Sequence, residues 1–172
     1  GDRVLNAGDL VSLDLGAIVG GLYGDSANTV AVGPVSPELT ALMETGAASL
    51  HAGIAQVRAG NRIGDVSAAV QAEVERRGAY GIVREYVGHG IGRRLHEEPN
   101  VPNFGMPGRG LLLRTGMAIA IEPMVNLGTH MTRLLDDDWT VVTADGSISV
   151  HYEHTVIVTE DGPIVTTVVA DD

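Results

Sequence analysis

Apolar and polar positions alternate over residues 9–18 and again over 22–32, with Gly20 and Gly21 between them. A period of two on either side of a glycine pair predicts a β-hairpin. Ser36 then precedes Pro37, an N-cap followed by a first-turn proline. Leu39, Leu42, Met43, Leu50, Ile54 and Val57 recur at helical spacing, which predicts a helix running to about Ala59, with Gly46 and Gly53 working against it. A second helix is expected over 64–77, after a break at Asn61–Gly64 and before Gly78. Residues 80–88 read as a strand, and 97–110, with three prolines and three glycines, as a loop. Further strands are expected at 117–125, 139–144, 147–159 and 164–169, with Asp145-Gly146 and Asp161-Gly162-Pro163 as turns. Strands, then helices, then strands make an α+β domain with a mostly antiparallel sheet. No linker or low-complexity tract divides it, so one domain is expected over 1–172.

The two runs of strands resemble each other. Aligning Gly8-Asp9-Leu10-Val11-Ser12-Leu13-Asp14 with Gly116-Met117-Ala118-Ile119-Ala120-Ile121-Glu122 places Asp14 on Glu122. The first run continues through the glycine turn to Tyr23-Gly24-Asp25, the second to Tyr152-Glu153-His154-Thr155. Alternate strand residues share a face. Asp14 therefore lies with Ser12 and Gly16, Asp25 with Tyr23, Ala27 and Thr29, and Glu153 with Ser149, His151 and Thr155, while Val11, Leu13, Ile119 and Ile121 point the other way. The hairpin brings Asp14 and Asp25 within a diagonal cross-strand step. Singly, each acid reads as a solvated strand residue. Together with His89, in Gly88-His89-Gly90-Ile91-Gly92, they form an oxygen-rich set that demands a compensating charge. Two divalent ions would supply it, and hard donors of this kind suit Mn, Fe, Co or Zn. Paired ions about 3.5–4 Å apart can activate a water and polarise a carbonyl.

Composition narrows the chemistry. The chain has 172 residues, 44% hydrophobic and 19% charged, with a formal net charge of −11, which argues against a nucleic-acid or anionic-membrane surface. It has no cysteine, so disulfides, thiolate zinc sites and a cysteine nucleophile are excluded. All 11 basic residues are arginine, which excludes a Schiff-base or P-loop lysine. Neither a basic-then-apolar leader nor a long uncharged apolar run is present, and a cytoplasmic, monomeric protein is expected. There is no Gly-x-Ser-x-Gly elbow. His96-Glu97-Glu98-Pro99 does not make the His-Glu-x-x-His zinc helix, since its proline opposes a helix.

Leu13-Asp14, Tyr23-Gly24-Asp25-Ser26, Gly88-His89-Gly90-Ile91-Gly92, His96-Glu97-Glu98-Pro99, Ile121-Glu122-Pro123-Met124 and Tyr152-Glu153-His154-Thr155 together resemble the type I methionine aminopeptidases, in order and over essentially the whole chain. The resemblance implies the pseudo-twofold pita-bread fold, with helices on the outer face of the sheet, and an enzyme that hydrolyses N-terminal methionine from peptides or nascent chains. It implies two divalent metal ions held by Asp14, Asp25, His89, Glu122 and Glu153, with Asp25 and Glu153 bridging. It gives His96 a contact to the scissile carbonyl and its oxyanion, and Glu122 a second role as proton shuttle. Trp139, with Met124 and Leu95, is expected to wall the methionine pocket. Prolidases and X-Pro aminopeptidases, which share fold and ligands, are the alternative, but usually carry Glu-Pro-Gly and Glu-Asp-Thr where this chain has Glu122-Pro123-Met124 and Glu153-His154-Thr155. A non-catalytic pita-bread binding module is the reading from another class. The family normally begins with a further segment carrying a substrate-contacting histidine and pocket aromatics, and this chain is expected to lack it. Two positions depart from the family pattern: Leu95 stands where many relatives have an aromatic, and Asp138 where glycine is common.

Overall fold

The computed structural model describes residues 3–168. The hairpin forms as the alternation requires: β1 (Leu10–Val19) pairs antiparallel with β2 (Leu22–Ala31) around Gly20 and Gly21. Both turn glycines have positive φ, 59° and 78°, which a side chain would disfavour. Two helices follow, α1 (Pro37–Ile54) and α2 (Ile63–Arg77). Ser36 caps α1, its hydroxyl accepting from the Leu39 amide, with Pro37 in the first turn. The helix ends five residues before the expected Ala59, yet Val57 is still fully buried beyond it.

Gly46 and Gly53 lower the helix propensity of α1 but permit its packing. A Cβ at Gly46 would sit 2.7 Å from the Tyr152 ring, and one at Gly53 2.7 Å from Val70 of α2. Leu42, Leu50 and Ile54 of α1 and Val66, Val70 and Val74 of α2 form one core with Ile119, Ile121, Val125, Val150 and Val156 of the sheets.

The second half is more broken than its hydrophobic pattern suggests. Within the expected 80–88 run only β3 (Gly81–Ile82) and the first residue of β4 (Gly88–Gly90) are strand; the residues between them bend away. The expected loop over 97–110 opens with a strand, β5 (Glu97–Val101), despite Pro99. It is the outer strand beside β4, where a missing N–H costs nothing on the open side. The run 117–125 divides at Glu122-Pro123 into β6 (Ala118–Ile121) and β7 (Met124–Asn126). A short hairpin, β8 (Thr132–Leu134) with β9 (Val141–Thr143), follows; the pattern missed β8. The run 147–159 divides at Tyr152-Glu153 into β10 (Ser149–His151) and β11 (His154–Val158), and β12 (Pro163–Val165) closes the order. Position 169 of the last expected strand lies outside the described residues.

The strands assemble as β12-β11-β6-β4-β5, β10-β7-β3 and the two hairpins, and every pairing among them is antiparallel. Gly8 and Gly116, aligned by the repeat, both adopt positive φ (97° and 91°) at the approach to their strands. Among the described residues no helix is long and apolar enough to cross a membrane.

Candidate metal centre

Two strands and two strand breaks contribute the acids. Asp14 and Asp25 come from the first hairpin, where Asp14 pairs with Ala27 and Gly16 with Asp25, so the two carboxylates sit one diagonal step apart. Glu122 and Glu153 come from the interruption of the second half. Ile121 pairs with His154 on one side and Met124 with His151 on the other, so Glu122 and Glu153 lie opposite each other where the ladders part. Asp25 and Glu153 are buried, Glu122 nearly so, and Asp14 is exposed.

His89 stands between the pairs because β4 is squeezed into a narrow slot. A Cβ on Gly88 would lie 2.3 Å from the Ala120 carbonyl oxygen, and one on Gly90 2.2 Å from that of Glu98. Only glycine on both sides of His89 lets the strand pass. The imidazole Nδ1 lies 2.9 Å from the Gly90 carbonyl oxygen; donating its proton there leaves the Nε2 lone pair turned to the acids. Nε2 is 3.6 Å from Glu122 Oε1 and 3.9 Å from Asp25 Oδ2. Burial pushes the His89 pKa down, which favours the neutral ring a metal needs.

The ligand atoms of His89, Glu122 and Glu153 lie within 4.8 Å of one another, and so do those of Asp14, Asp25 and Glu153. All five expected ligands thus converge on one place, with Glu153 common to both groups. Burial, reinforced by Asp25 and Asp14, raises the Glu122 carboxyl to about 8. Burial, with Glu122, Asp25 and Asp14 adding to it, raises Glu153 to about 9. Glu153 Oε1 is buried with no hydrogen-bond partner. Acids crowded until they hold protons above neutrality, a neutral imidazole facing them and an orphaned carboxylate oxygen fit a site built for divalent cations.

His96 reaches the same place from the turn between β4 and β5. Its ring is 4.4 Å from that of His89, at 70°, and it forms a further cluster with Asp25 and His89 while staying solvent-exposed. Leu95 packs over Gly16 beside Asp25, where a Cβ on the glycine would lie 3.6 Å from Leu95 Cδ1. The acids open into a cavity of about 450 Å³ lined by Asp14, Glu122, Met124, Val83, Tyr86 and His151. Trp139 does not join it. It stands in the turn between β8 and β9, its amide bonded to Asp137, and is 86% exposed because no described element packs over that turn. Of the three residues expected to wall the pocket, Met124 lines this cavity, Leu95 stands beside Gly16 and Asp25, and Trp139 lies apart.

Two further side chains belong to the site and had been given no role from the sequence. His151 Nε2 is 3.7 Å from Glu122 Oε2 and buried without a hydrogen-bond partner. The strand parity that groups His151 with Glu153 was its signal. Asn103, fully buried, donates from Nδ2 to the Glu122 carbonyl oxygen at 3.1 Å and steadies the break between β6 and β7. It lies in the proline- and glycine-rich stretch, where no pattern singles it out.

Residues 1–160 match metallopeptidase family M24. The methionine aminopeptidase of Clostridium acetobutylicum is 50% identical over 165 residues, 96% of this chain and 66% of that protein. Methionine aminopeptidase 1 of Mycobacterium tuberculosis is 52% identical over 170 residues, 96% of this chain and 64% of that protein. The crystal structure of methionine aminopeptidase from Thermotoga maritima superposes with a TM-score of 0.92 at 45% identity, covering 95% of this chain and 66% of that one. The chain spans about two thirds of the length of these relatives.

Proposed function

The chain belongs to metallopeptidase family M24, and from that membership we propose that it is the metal-binding catalytic domain of an aminopeptidase that removes N-terminal methionine. Its fold is the pseudo-twofold pita-bread arrangement. The observation that carries the reading is the convergence of Asp14, Asp25, His89, Glu122 and Glu153 on one site, with two carboxyls raised to about 8 and about 9. These five residues would hold two divalent ions; Mn, Fe, Co and Zn all suit the donors. When bound, the ions supply Lewis acidity toward a carbonyl and a water.

The protein's own groups do the rest. A methionyl peptide enters the 450 Å³ cavity with its side chain against Met124, Val83 and Tyr86, an apolar surface suited to a flexible thioether. His96, at the exposed rim beside His89, donates an N–H to the scissile carbonyl oxygen as negative charge develops there. Glu122, as a carboxylate, takes a proton from the attacking water as the C–O bond forms. It returns that proton to the leaving amine as the C–N bond breaks. Glu122 is steadied at its backbone by Asn103. The acidic balance, −11, disfavours a nucleic-acid partner.

The test is release of methionine from Met-Ala-Ser against cleavage of an X-Pro peptide, with and without added Mn(II) or Co(II). Metal-dependent release from Met-Ala-Ser alone is expected. Faster cleavage of the X-Pro peptide would establish the prolidase-like alternative. Metal binding with turnover of neither, by a chain extended to the full length of its relatives, would establish a binding module.

A further inference from the structure

The first hairpin joins the second half through side chains as much as through backbone. Along β2, the edge turned away from β1 offers the peptide groups of Asp25, Ala27 and Thr29. Ala27 exchanges backbone hydrogen bonds with Glu153, at 2.8 and 3.3 Å. On either side of that rung no backbone bond is made, and a threonine hydroxyl spans each gap. The Thr155 hydroxyl accepts from the Asp25 N–H and donates to the Asp25 carbonyl, both at 2.9 Å. The Thr29 hydroxyl stands 2.9 Å from both the N–H and the carbonyl oxygen of His151. One hydroxyl can serve as donor and acceptor at once, so each stands in for a missing strand.

We propose that Thr155 is a positioning residue for the metal centre: its hydroxyl holds the Asp25 peptide, and through it the Asp25 carboxylate, at the spacing from Glu153 that a shared cation requires. This rests on the five-ligand reading above. Thr155 is itself held rigidly. It is 4% exposed, lies in β11 opposite Ala120 of β6, and its carbonyl accepts from the amide and hydroxyl of Thr166. Asp25 has no other partner for either peptide group among the described residues. Ser26 makes the reverse connection, its hydroxyl donating to the Glu153 carbonyl at 3.1 Å. Asp25 is thus tied at its backbone to β11, just beyond Glu153, and Glu153 is tied at its backbone to β2, which carries Asp25. Removing the Thr155 hydroxyl leaves two buried peptide groups unpaired, and β2 must shift to find water for them. A site whose ligands must hold position to a fraction of an ångström loses affinity when that happens.

The experiment compares the wild-type chain with T155V, which keeps the shape but not the hydroxyl, and T155S, which keeps the hydroxyl. Mn(II) affinity is measured by calorimetry and the Co(II) visible spectrum is recorded on the same samples. The expected result is Mn(II) binding weakened about 10–100-fold in T155V, with an altered Co(II) spectrum, and wild-type affinity and spectrum in T155S. Wild-type affinity in T155V together with a lowered melting temperature would overturn the proposal, since a purely structural bond would move stability alone. Weakened binding in T155S would overturn it as well, and would do so even if T155V failed to fold. A wild-type chain that binds no Mn(II) would overturn the five-ligand reading itself.

Discussion

Glu122 lies opposite Glu153 at the point where the β6–β11 and β7–β10 ladders part, so two carboxyls, one buried and one nearly so, share one gap with no basic side chain but histidine near them among the described residues. Both carboxyls titrate far above the ordinary glutamate value, at about 8 and about 9, with burial the main cause.

The metal-free chain should therefore lose stability as pH rises. A carboxyl whose folded pKa lies above its unfolded value favours the folded state fully below about 4.5, and that contribution is lost as pH rises through 8 to 9. Between pH 5 and pH 9 the loss should be about 2–4 kcal/mol, less than two independent shifts would give, because the open cavity admits water as the acids ionise. Denaturant midpoints measured in chelator across that range check it; a flat profile would count against a proton-loaded pair. Added Mn(II) should reverse the slope, because the ions compete with those protons. In E153Q both the slope and the metal-induced rise in melting temperature should shrink sharply.

His96 is expected to matter for turnover more than for metal content. It sits at the rim, exposed, outside the five ligands proposed above. Loss of one oxyanion donor lowers the rate by roughly 10²–10³-fold. Turnover of a methionyl tripeptide and metal content, measured on the same H96A sample, decide the matter. Metal lost together with activity would make His96 a ligand or a structural prop.

G46A should destabilise the chain although alanine is the better helix former. The propensity gain is about 1 kcal/mol. Against it, the new Cβ would meet the Tyr152 ring at 2.7 Å and Val150 Cγ2 at 2.9 Å, and Tyr152 is tethered through its hydroxyl to the Thr29 carbonyl. Overpacking of this kind costs about 1–3 kcal/mol, so a net loss of about 1 kcal/mol is expected. A chain of this size would show it as a fall of roughly 2–4 °C in melting temperature. Stabilisation would mean that Tyr152, and with it Glu153, is freer to move than its contacts imply.

D138G should be neutral to mildly stabilising. Asp138 holds φ at 54° and is the one non-glycine residue at positive φ among those described. Relief of that conformation is worth about 1 kcal/mol, offset in part by the greater freedom glycine has in the unfolded chain. Thermal melts of D138G and D138A separate the terms. The alanine variant, which cannot use a polar side chain to tolerate the left-handed region, should be the less stable of the two.

Much of this architecture was legible because strand periodicity is local. The parity that set Asp14 and Asp25 on one face of the first hairpin needed only the period of two and a glycine turn, and the observed register repeats it. Ser36 with Pro37, and Gly78 after α2, mark their helix ends for similarly local reasons. The errors share a different cause. Pro99 and its neighbours spell a loop, yet Glu97–Val101 is a strand because an outer position asks nothing of the missing N–H on its open side. The apolar run across Glu122 spells one strand, yet it divides because its two ends pair into different sheets.

By itself the sequence determined which residues could be ligands and which face each acid would share, since both follow from side-chain chemistry and from a geometry that repeats every two residues. Tertiary structure alone decided how those acids behave. Whether Glu153 is buried, whether His151 reaches Glu122, whether Thr155 carries the Asp25 peptide and whether Trp139 stands at the cavity or apart from it all depend on segments distant along the chain or on what packs above them. Burial and partner geometry set the electrostatic energy of a charge, and neither is a property of the stretch of chain that carries it.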